Sequence, residues 1–188
     1  MDVSAAIESR RAYRSLEKTE INKDLIKTLA SFASLSPSCF NHQPWKFVFV
    51  YENAILEELK TALSKGNDWA RSASMIIAVL SKQNDDCVLD YRKYYLFDTG
   101  IASAFLILKA TELGYVAHPI AGYNPEIVKS VIKSPDDMEI VTLIIFSKHK
   151  MEINPVLSEK QRHDEIERPE RKSFDEYACF NKYCFLDK

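Results

Sequence analysis

Three short apolar segments alternate with helix-like segments, and this alternation constrains the fold more than any other feature of the chain. The apolar segments cover Trp45–Tyr51, Met75–Leu80 and Glu139–Ser147. Their aromatic and β-branched residues favour strands, and we expect the first of them to be covered on both faces. Strands that alternate with helices predict one domain of the α+β or α/β class, in which helices cover a single sheet.

Local signals mark the ends of the predicted helices. Asn22 and Asn53 stand at N-cap positions, and the pair Asn124–Pro125 begins another helix. The longest helix is predicted over Tyr91–Leu113, where Gly114 stops it. Because this helix is apolar on all sides, we expect it to lie in the core or at an interface.

Two segments lack a clear period. Residues Ser81–Asp90 are polar and predict a surface loop. Residues 151–188 are rich in charge, so we expect a tail that belongs to the same domain as residues 1–150. The end of this tail is nevertheless aromatic, which a solvated tail would not be, and we expect it to wrap onto a partner subunit.

Composition and charge limit the class of function. The chain has 188 residues, of which 46% are hydrophobic and 28% charged, and its formal net charge is −2. This balance gives no electrostatic footprint for nucleic acid or for an anionic membrane, and no apolar signal-like run begins the chain. The four cysteines form no CxxC pair. We therefore expect a cytoplasmic protein with reduced thiols that binds neither nucleic acid nor membrane.

A basic cluster follows the first predicted helix and contains Arg10, Arg11 and Arg14. The simpler interpretation is that these cations complement the helix dipole. The alternative is an anion site, because guanidinium donors match the geometry of a phosphate. The chain has only four glycines and no glycine-rich phosphate loop, so a bound phosphate would need side-chain donors.

Two proline-containing segments offer polar groups. PSCFNHQPW, residues 37–45, precedes a predicted strand and suits either a turn or a binding loop; its polar side chains include Ser38, Asn41 and Gln43. YVAHPIAGYNPE, residues 115–126, has a similar character, and we interpret its His118 as a hydrogen-bonded structural residue. We predict no metal site. The positions of His42, His149 and His163 do not have the spacing of metal ligands, and we interpret Cys179 and Cys184 as residues that pack in the protein interior.

Five segments occur in a characteristic order: SRRAYR, SPSCFNHQPWKFVFV, SMIIAVL, FDTGIASAFLILKATELGYVAHPIAGYN and EIVTLIIFS. This order resembles the FMN-dependent nitroreductase family over residues 4–150. The family pattern has a double-basic start, a PSxxNxQPW loop, a D-x-G-x-A helix that ends in LG, and a P-x-x-G-[FY] turn. The resemblance implies a three-layer α+β fold with a central mixed, mainly antiparallel sheet. It also implies a homodimer with FMN at its interface and exchanged C-terminal tails.

The resemblance assigns residues to the FMN site. Arg10 and Arg11 match the contacts to the phosphate and the ribityl chain, and Arg14 matches the basic residue beside the pyrimidine edge of the flavin. Arg168 or Arg171 matches a basic tail residue on the phosphate. The loop that reaches the flavin from the partner subunit is matched by Pro37, Ser38, Cys39 and Asn41. The asparagine at the ring edge is matched by Asn67. The backbone near flavin N5 is matched by Ile120, Ala121 and Gly122.

Three positions depart from the family pattern. Ala12 and Cys39 stand where serine is common, and Ala121 stands where many members have glutamate. Contacts made through those hydroxyl and carboxylate groups are therefore not expected in this chain.

The activity implied by the resemblance is reduction of nitroaromatics, quinones or similar small electron acceptors by NADH or NADPH. Hydride would pass through flavin N5 in a ping-pong sequence, so the chemistry belongs to the cofactor. Arg14 is the predicted catalytic residue, because its charge would stabilise the anionic reduced flavin. The alternatives are a flavin-binding protein of this fold without redox turnover, and a specialised reductase such as a dehalogenase.

Overall fold

The computed structural model describes residues 1–185, and its main feature is a five-stranded sheet with a separate two-stranded hairpin. Short 3-10 turns connect several elements. The strands are β1 (Leu16–Glu17), β2 (Lys46–Val50), β3 (Met75–Ser81), β4 (Val88–Leu89), β5 (Arg92–Lys93), β6 (Val116–Ile120) and β7 (Glu139–His149). The α-helices are α1 (Val3–Ser9), α2 (Lys23–Ala33), α3 (Asn53–Leu59), α4 (Tyr95–Glu112), α5 (Pro125–Ile132) and α6 (Glu159–Ile166).

Strand β7 is the centre of the main sheet. It pairs with β3 along one edge and with β6 along the other, while β1 pairs with its last residues. Strand β2 pairs with the far edge of β3. Each of these pairings is antiparallel, and β4 and β5 form the separate hairpin.

Strand β3 shows why the sheet lies in the middle of three layers. All seven of its residues are buried, and alternate side chains enter different apolar clusters. Ile76 packs in the cluster that contains residues of α3 and α5, whereas Ile77 packs with residues of α2 and α4. Because successive strand side chains point to opposite faces, helices must cover both sides of this sheet. The α+β class and the three-layer arrangement are confirmed.

Most of the helix-end predictions are confirmed. The side chain of Asn22 accepts a hydrogen bond from the backbone N–H of Leu25 and caps α2. Asn124 caps α5, with Pro125 in its first turn. The prediction for Asn53 is wrong, because Asn53 is already the first residue of α3 and Glu52 precedes it without a side-chain cap.

The long helix and the polar segment before it also differ from expectation. Helix α4 begins at Tyr95, not at residue 91, because the preceding residues belong to the β4–β5 hairpin. Ser81–Asp90 is not wholly a surface loop. Its first residue ends β3, and Asp86 and Cys87 are buried.

The strands differ from expectation at two places. Strand β2 is covered on both faces only in part: Val50 packs in the cluster of α3 and α5 and Phe49 against the cluster of α2 and α4, but Lys46 at its start is exposed. Strand β6, by contrast, is not among the three predicted strands. Its proline at position 119 obscures the strand pattern, but among the described strands β6 pairs only with β7, and proline is tolerated on such an edge strand.

The tail contains more structure than its composition predicts. Ser158 and Gln161 form a capping box that starts α6. The aromatic side chains that follow are largely exposed in this single chain: Phe174, Tyr177, Phe180 and Tyr183. Residues 186–188 of the expected tail lie outside the described residues. Within the described part, no helix is both long and apolar enough to cross a membrane.

Candidate functional site

A basic pocket of about 180 Å³ lies where the N-terminal segment meets the tail. Burial, followed by the charges of neighbouring arginines, lowers the pKa of Arg10. The smaller part of this pKa shift comes from repulsion between the guanidinium groups, which a bound anion would relieve. The pocket is lined by Arg10, Arg11, Ala12, Arg14, Asp164, Arg168, Pro169 and Arg171.

Helix α6 builds this pocket by holding the backbone of the N-terminal segment. Glu165 is buried, and its carboxylate accepts hydrogen bonds from the backbone N–H groups of Arg14 and Ser15. The guanidinium of Arg11 donates to the carbonyl oxygen of Asp164 at 2.7 Å. Arg168, just beyond the helix, donates to the carbonyl oxygen of Arg10 at 3.0 Å. Residues about 150 positions apart in sequence therefore form one site.

Arg14 is held from two sides. Its guanidinium lies 3.5 Å from the carboxylate of Asp164, and both side chains are largely buried. This ion pair fixes the direction of the arginine but also places a negative charge in the pocket. With one aspartate among the five arginines that line it, the pocket has an excess of positive charge and suits an anion.

His118 connects the basic segment to strand β6. Its Nδ1 donates to the carbonyl oxygen of Tyr13 at 3.1 Å, and its ring stacks on Trp69 with centroids 4.6 Å apart. Burial lowers the pKa of His118 to about 4. The imidazole is therefore neutral at pH 7, and its contacts agree with the prediction of a structural histidine.

Asn67 fixes the backbone just after β6. Its side-chain amide donates to the carbonyl oxygen of Gly122 at 2.9 Å. A Cβ atom at Gly122 would lie 2.5 Å from the Asn67 Nδ2 atom, so a larger residue here would push the Asn67 amide out of this hydrogen bond. Asn67 and the Ile120–Gly122 segment, which the sequence assigns to one site, are thus in direct contact.

The loop before β2 is strained and tightly anchored. Phe40, Asn41 and Gln43 have φ angles of 45°, 60° and 52°, which residues other than glycine rarely adopt. The carboxylate of buried Asp98 accepts a hydrogen bond from the Cys39 backbone N–H at 2.6 Å. Backbone strain held in this way is typical of binding and catalytic loops.

The expectation of reduced thiols is wrong. Cys39 is joined to Cys87 by a disulfide, and Cys179 is joined to Cys184. The wide sequence separation of the first pair hid it, because contact between positions 39 and 87 arises only through the fold.

The predicted site residues fall into two groups in the described chain. The arginines line the basic pocket, to which β6 is linked by the contact between His118 and Tyr13. Three of the four predicted loop residues line a different, mostly apolar cavity of about 290 Å³ beside α4, whereas Asn41 lies outside the lining of both cavities. This second cavity is formed by Pro37, Ser38, Cys39, Leu89, Tyr94, Phe97, Asp98 and Ile101. The two cavities share no residue.

Several residues of this arrangement were not singled out from the sequence. Glu165 and Asp164 resemble ordinary charged residues of a polar tail, and only their spatial neighbours reveal their part in the pocket. Asp98 carries a sequence signal, because it is the aspartate of the D-x-G-x-A helix, but its contact with the Cys39 loop does not follow from that motif.

A three-layer α+β fold with this ordered set of site segments defines the class of protein. The family model described as "Nitroreductase family" matches residues 7–147, which is most of the chain. The chain belongs to the Nitroreductase family.

Individual relatives agree with this assignment. A Bacillus subtilis (strain 168) protein named "Putative NAD(P)H nitroreductase MhqN" is 25% identical over 179 residues, covering 77% of this chain and 87% of the relative. A nitroreductase family protein from Clostridium novyi NT has a TM-score of 0.74 and 25% identity, covering 80% of this chain and 87% of that one.

The same fold occurs in more distant proteins. The structure described as "the oxidoreductase containing FMN" has a TM-score of 0.82 and 22% identity, and the similarity covers 98% of this chain and 94% of that one. At this level of identity the similarity demonstrates the shared fold.

Proposed function

We propose that this chain is an FMN-dependent oxidoreductase that uses NADH or NADPH to reduce nitroaromatics, quinones or similar small acceptors. The observation that carries the proposal is the pocket of five arginines, which suits a phosphate in a chain without a glycine-rich loop. Membership of the Nitroreductase family and the relative named as an NAD(P)H nitroreductase support it.

The residues present fit FMN. Arg10, Arg11 and either Arg168 or Arg171 would hold the phosphate and the ribityl chain with charge-assisted hydrogen bonds. The backbone after β6, held by Asn67, would lie beside the ring system, where the absence of a side chain at position 122 permits close approach. Bound FMN would supply the redox chemistry, accepting a hydride at N5 and passing electrons to the acceptor in a second half-reaction.

Arg14 would contribute electrostatic stabilisation. The hydrogen bond from its backbone N–H to Glu165 and the ion pair with Asp164 fix its position before any ligand binds. A preorganised cation favours the species in which negative charge develops, and it does so without a reorganisation cost. We assign Arg14 to the pyrimidine edge of the ring, where it would favour the reduced anionic form.

We further propose that the protein is a homodimer. Helix α4 exposes Leu96, Phe97 and Phe105, and α1 exposes Val3 and Ile7, so apolar surface is available for a second copy. Residues 37–39 of the loop line a cavity separate from the basic pocket, which supports the assignment of this loop to the flavin of the partner subunit. The tail after α6 would cross the same interface, while residues 1–150 supply the rest of the domain.

A spectrum of the purified protein tests the proposed function. Bound FMN gives a yellow protein, and addition of NADH or NADPH without oxygen should bleach it; addition of a quinone should then restore the colour. The double variant Arg168→Ala/Arg171→Ala should bind FMN more weakly, whereas Arg71→Ala, which removes an exposed arginine outside the pocket, should bind it as tightly as the original chain. A colourless protein that does not bind added FMN would refute the proposal. Yellow protein that does not bleach would instead indicate flavin binding without turnover.

A further inference from the structure

Four groups that can bind a metal ion converge where the loop before β2 meets the chain before β4. The sulfur atoms of Cys39 and Cys87 and a carboxylate oxygen of Asp86 all lie within 4.8 Å of one another. The Nδ1 atom of His42 lies 3.7 Å from the sulfur of Cys87 and 3.5 Å from a carboxylate oxygen of Asp86. A disulfide needs only the two cysteines, so the bond between them does not account for the imidazole and the carboxylate beside it.

The distances match the coordination of zinc. Zinc binds thiolate sulfur at about 2.3 Å, and imidazole nitrogen or carboxylate oxygen at about 2.0–2.2 Å, with its ligands in a tetrahedron. Two donor atoms on one such ion therefore lie roughly 3.3–3.8 Å apart. Both contacts of His42 Nδ1 fall in this range. The Cα atoms of Cys39 and Cys87 are 6.0 Å apart, which lets both sulfur atoms reach one ion.

Asp86 provides an independent observation that points to a cation. Its side chain is fully buried. Its Oδ1 atom accepts a hydrogen bond from the Cys87 backbone N–H at 2.7 Å, whereas its Oδ2 atom has no hydrogen-bond partner within the described chain. A buried carboxylate oxygen without a partner costs free energy and calls for an explanation. A metal ion bound to Oδ2 would supply the partner while Oδ1 keeps its backbone contact.

The start of α4 holds both cysteines in position. The carboxylate of Asp98 accepts a hydrogen bond from the Cys39 backbone N–H at 2.6 Å. The carbonyl oxygen of Cys87 accepts one from the backbone N–H of Tyr94 at 3.2 Å. Contacts of this kind orient the residues that bind a metal and raise its affinity. The backbone positions of the two thiol ligands are therefore fixed by groups outside the ligand set.

We propose that these four groups bind one zinc ion once the disulfide between Cys39 and Cys87 is reduced. A dithiol supplies the two electrons and is itself oxidised to a disulfide, and the two cysteine thiols release their protons when zinc binds. Thiolate and imidazole ligands favour zinc over magnesium or calcium. The ion can enter while the reduced chain folds, so the site does not require solvent access to either sulfur atom in a dimer. It is compatible with a flavin of the partner subunit beside the loop, and it does not depend on the proposed redox function.

The test measures zinc in the full-length chain. The variant Cys179→Ser/Cys184→Ser leaves Cys39 and Cys87 as its only thiols. Purified without oxygen in the presence of a reductant, this variant and the original chain should each contain one zinc ion per chain, and the same proteins with the disulfide intact should contain none. Cobalt(II) supplied in place of zinc should give a thiolate charge-transfer band and the intense visible bands of a four-coordinate ion. A folded, fully reduced protein that binds no zinc, or a six-coordinate cobalt spectrum, would overturn the proposal.

Two substitutions test the imidazole and the carboxylate. His42→Gln and Asp86→Asn should each weaken zinc binding at least about tenfold in competition with a chromophoric chelator, because even residues behind a metal ligand change affinity by that much. The matched controls are His163→Gln and Asp85→Asn, which alter the same two residue types outside the ligand set and should leave the affinity unchanged. Circular dichroism checks that each variant is folded, and flavin content is measured on the same samples, so loss of zinc is distinguished from loss of FMN. Unchanged zinc affinity in either ligand variant would contradict the four-ligand site.

Discussion

The buried carboxylate of Glu165 accepts a hydrogen bond from the backbone N–H of Arg14. This contact, with the parallel one to Ser15 at 3.0 Å, joins the tail helix to the segment that carries the basic cluster. The tail helix is therefore part of the site of its own subunit, and only the residues beyond it remain candidates for exchange with a partner.

Replacing this carboxylate should weaken both the fold and the anion pocket. Glu165→Gln leaves one of the two backbone N–H groups facing an amide NH₂, and an unmade buried hydrogen bond costs about 1–3 kcal/mol of unfolding free energy. We expect a loss of this size in urea unfolding and weaker binding of inorganic phosphate. Glu167→Gln is the matched control, because that side chain is exposed. Equal stability of the two variants would contradict the assigned role.

Acid should destabilise the protein through His118. The folded pKa is about 4 and the reference value is 6.5, so the unfolded chain binds a proton that the native chain refuses. Stability from this group is complete above pH 6.5 and is lost as the pH falls towards 4, by about 3 kcal/mol at most. His118→Asn should flatten the pH dependence of unfolding in this range, whereas His163→Asn, at an exposed position, should leave it unchanged.

Local features of the sequence predicted much of the fold, and long-range contacts account for the rest. The buried strand β3 and the caps Asn22 and Asn124 depend on neighbouring residues, so pattern and capping chemistry identify them. Strand β6 depends on pairing with β7, and its proline hides it from a local reading. The resemblance named the arginines of the pocket, but the role of Glu165 depends on packing between segments 150 residues apart.

The two disulfides should differ in their contribution to stability. Loss of a cross-link frees the unfolded chain more when the closed loop is longer, so Cys39→Ser/Cys87→Ser should lower the unfolding free energy by about 2–4 kcal/mol. The control variant Cys179→Ser/Cys184→Ser removes a disulfide that closes a loop across only five positions, so its loss of unfolding free energy should be distinctly smaller. Denaturant titration of the oxidised proteins measures both losses, and similar values would contradict the loop-length argument.

Removing the proposed catalytic charge should affect flavin reduction more than flavin binding. Arg14→Ala would remove a cation that favours the reduced anion over the oxidised ring, so the midpoint potential of bound FMN should fall. Arg71→Ala removes an equal charge outside the pocket and should leave the potential unchanged. Spectroelectrochemical titration of the original protein and the two variants measures these potentials. An unchanged potential in Arg14→Ala would contradict the role assigned to Arg14.

The tail beyond α6 should help to hold the FMN phosphate and to seal a dimer. Arg168 and Arg171 line the basic pocket, and exposed aromatic side chains follow them in sequence. Because each charge-assisted hydrogen bond contributes about 1.5–3 kcal/mol, deletion of the residues after Ile166 should weaken FMN binding at least about tenfold. Riboflavin, which has no phosphate, should be affected much less.

A full-length double variant separates the two roles of this segment. Arg168→Ala/Arg171→Ala keeps the aromatic residues and should weaken FMN binding while the protein remains a dimer. The truncated chain should lose both FMN affinity and dimer stability, as measured by calorimetry and sedimentation. If the truncated chain remains a dimer and binds FMN as tightly as the full chain, neither role survives. In that case the arginines at positions 10, 11 and 14 would be sufficient for the phosphate.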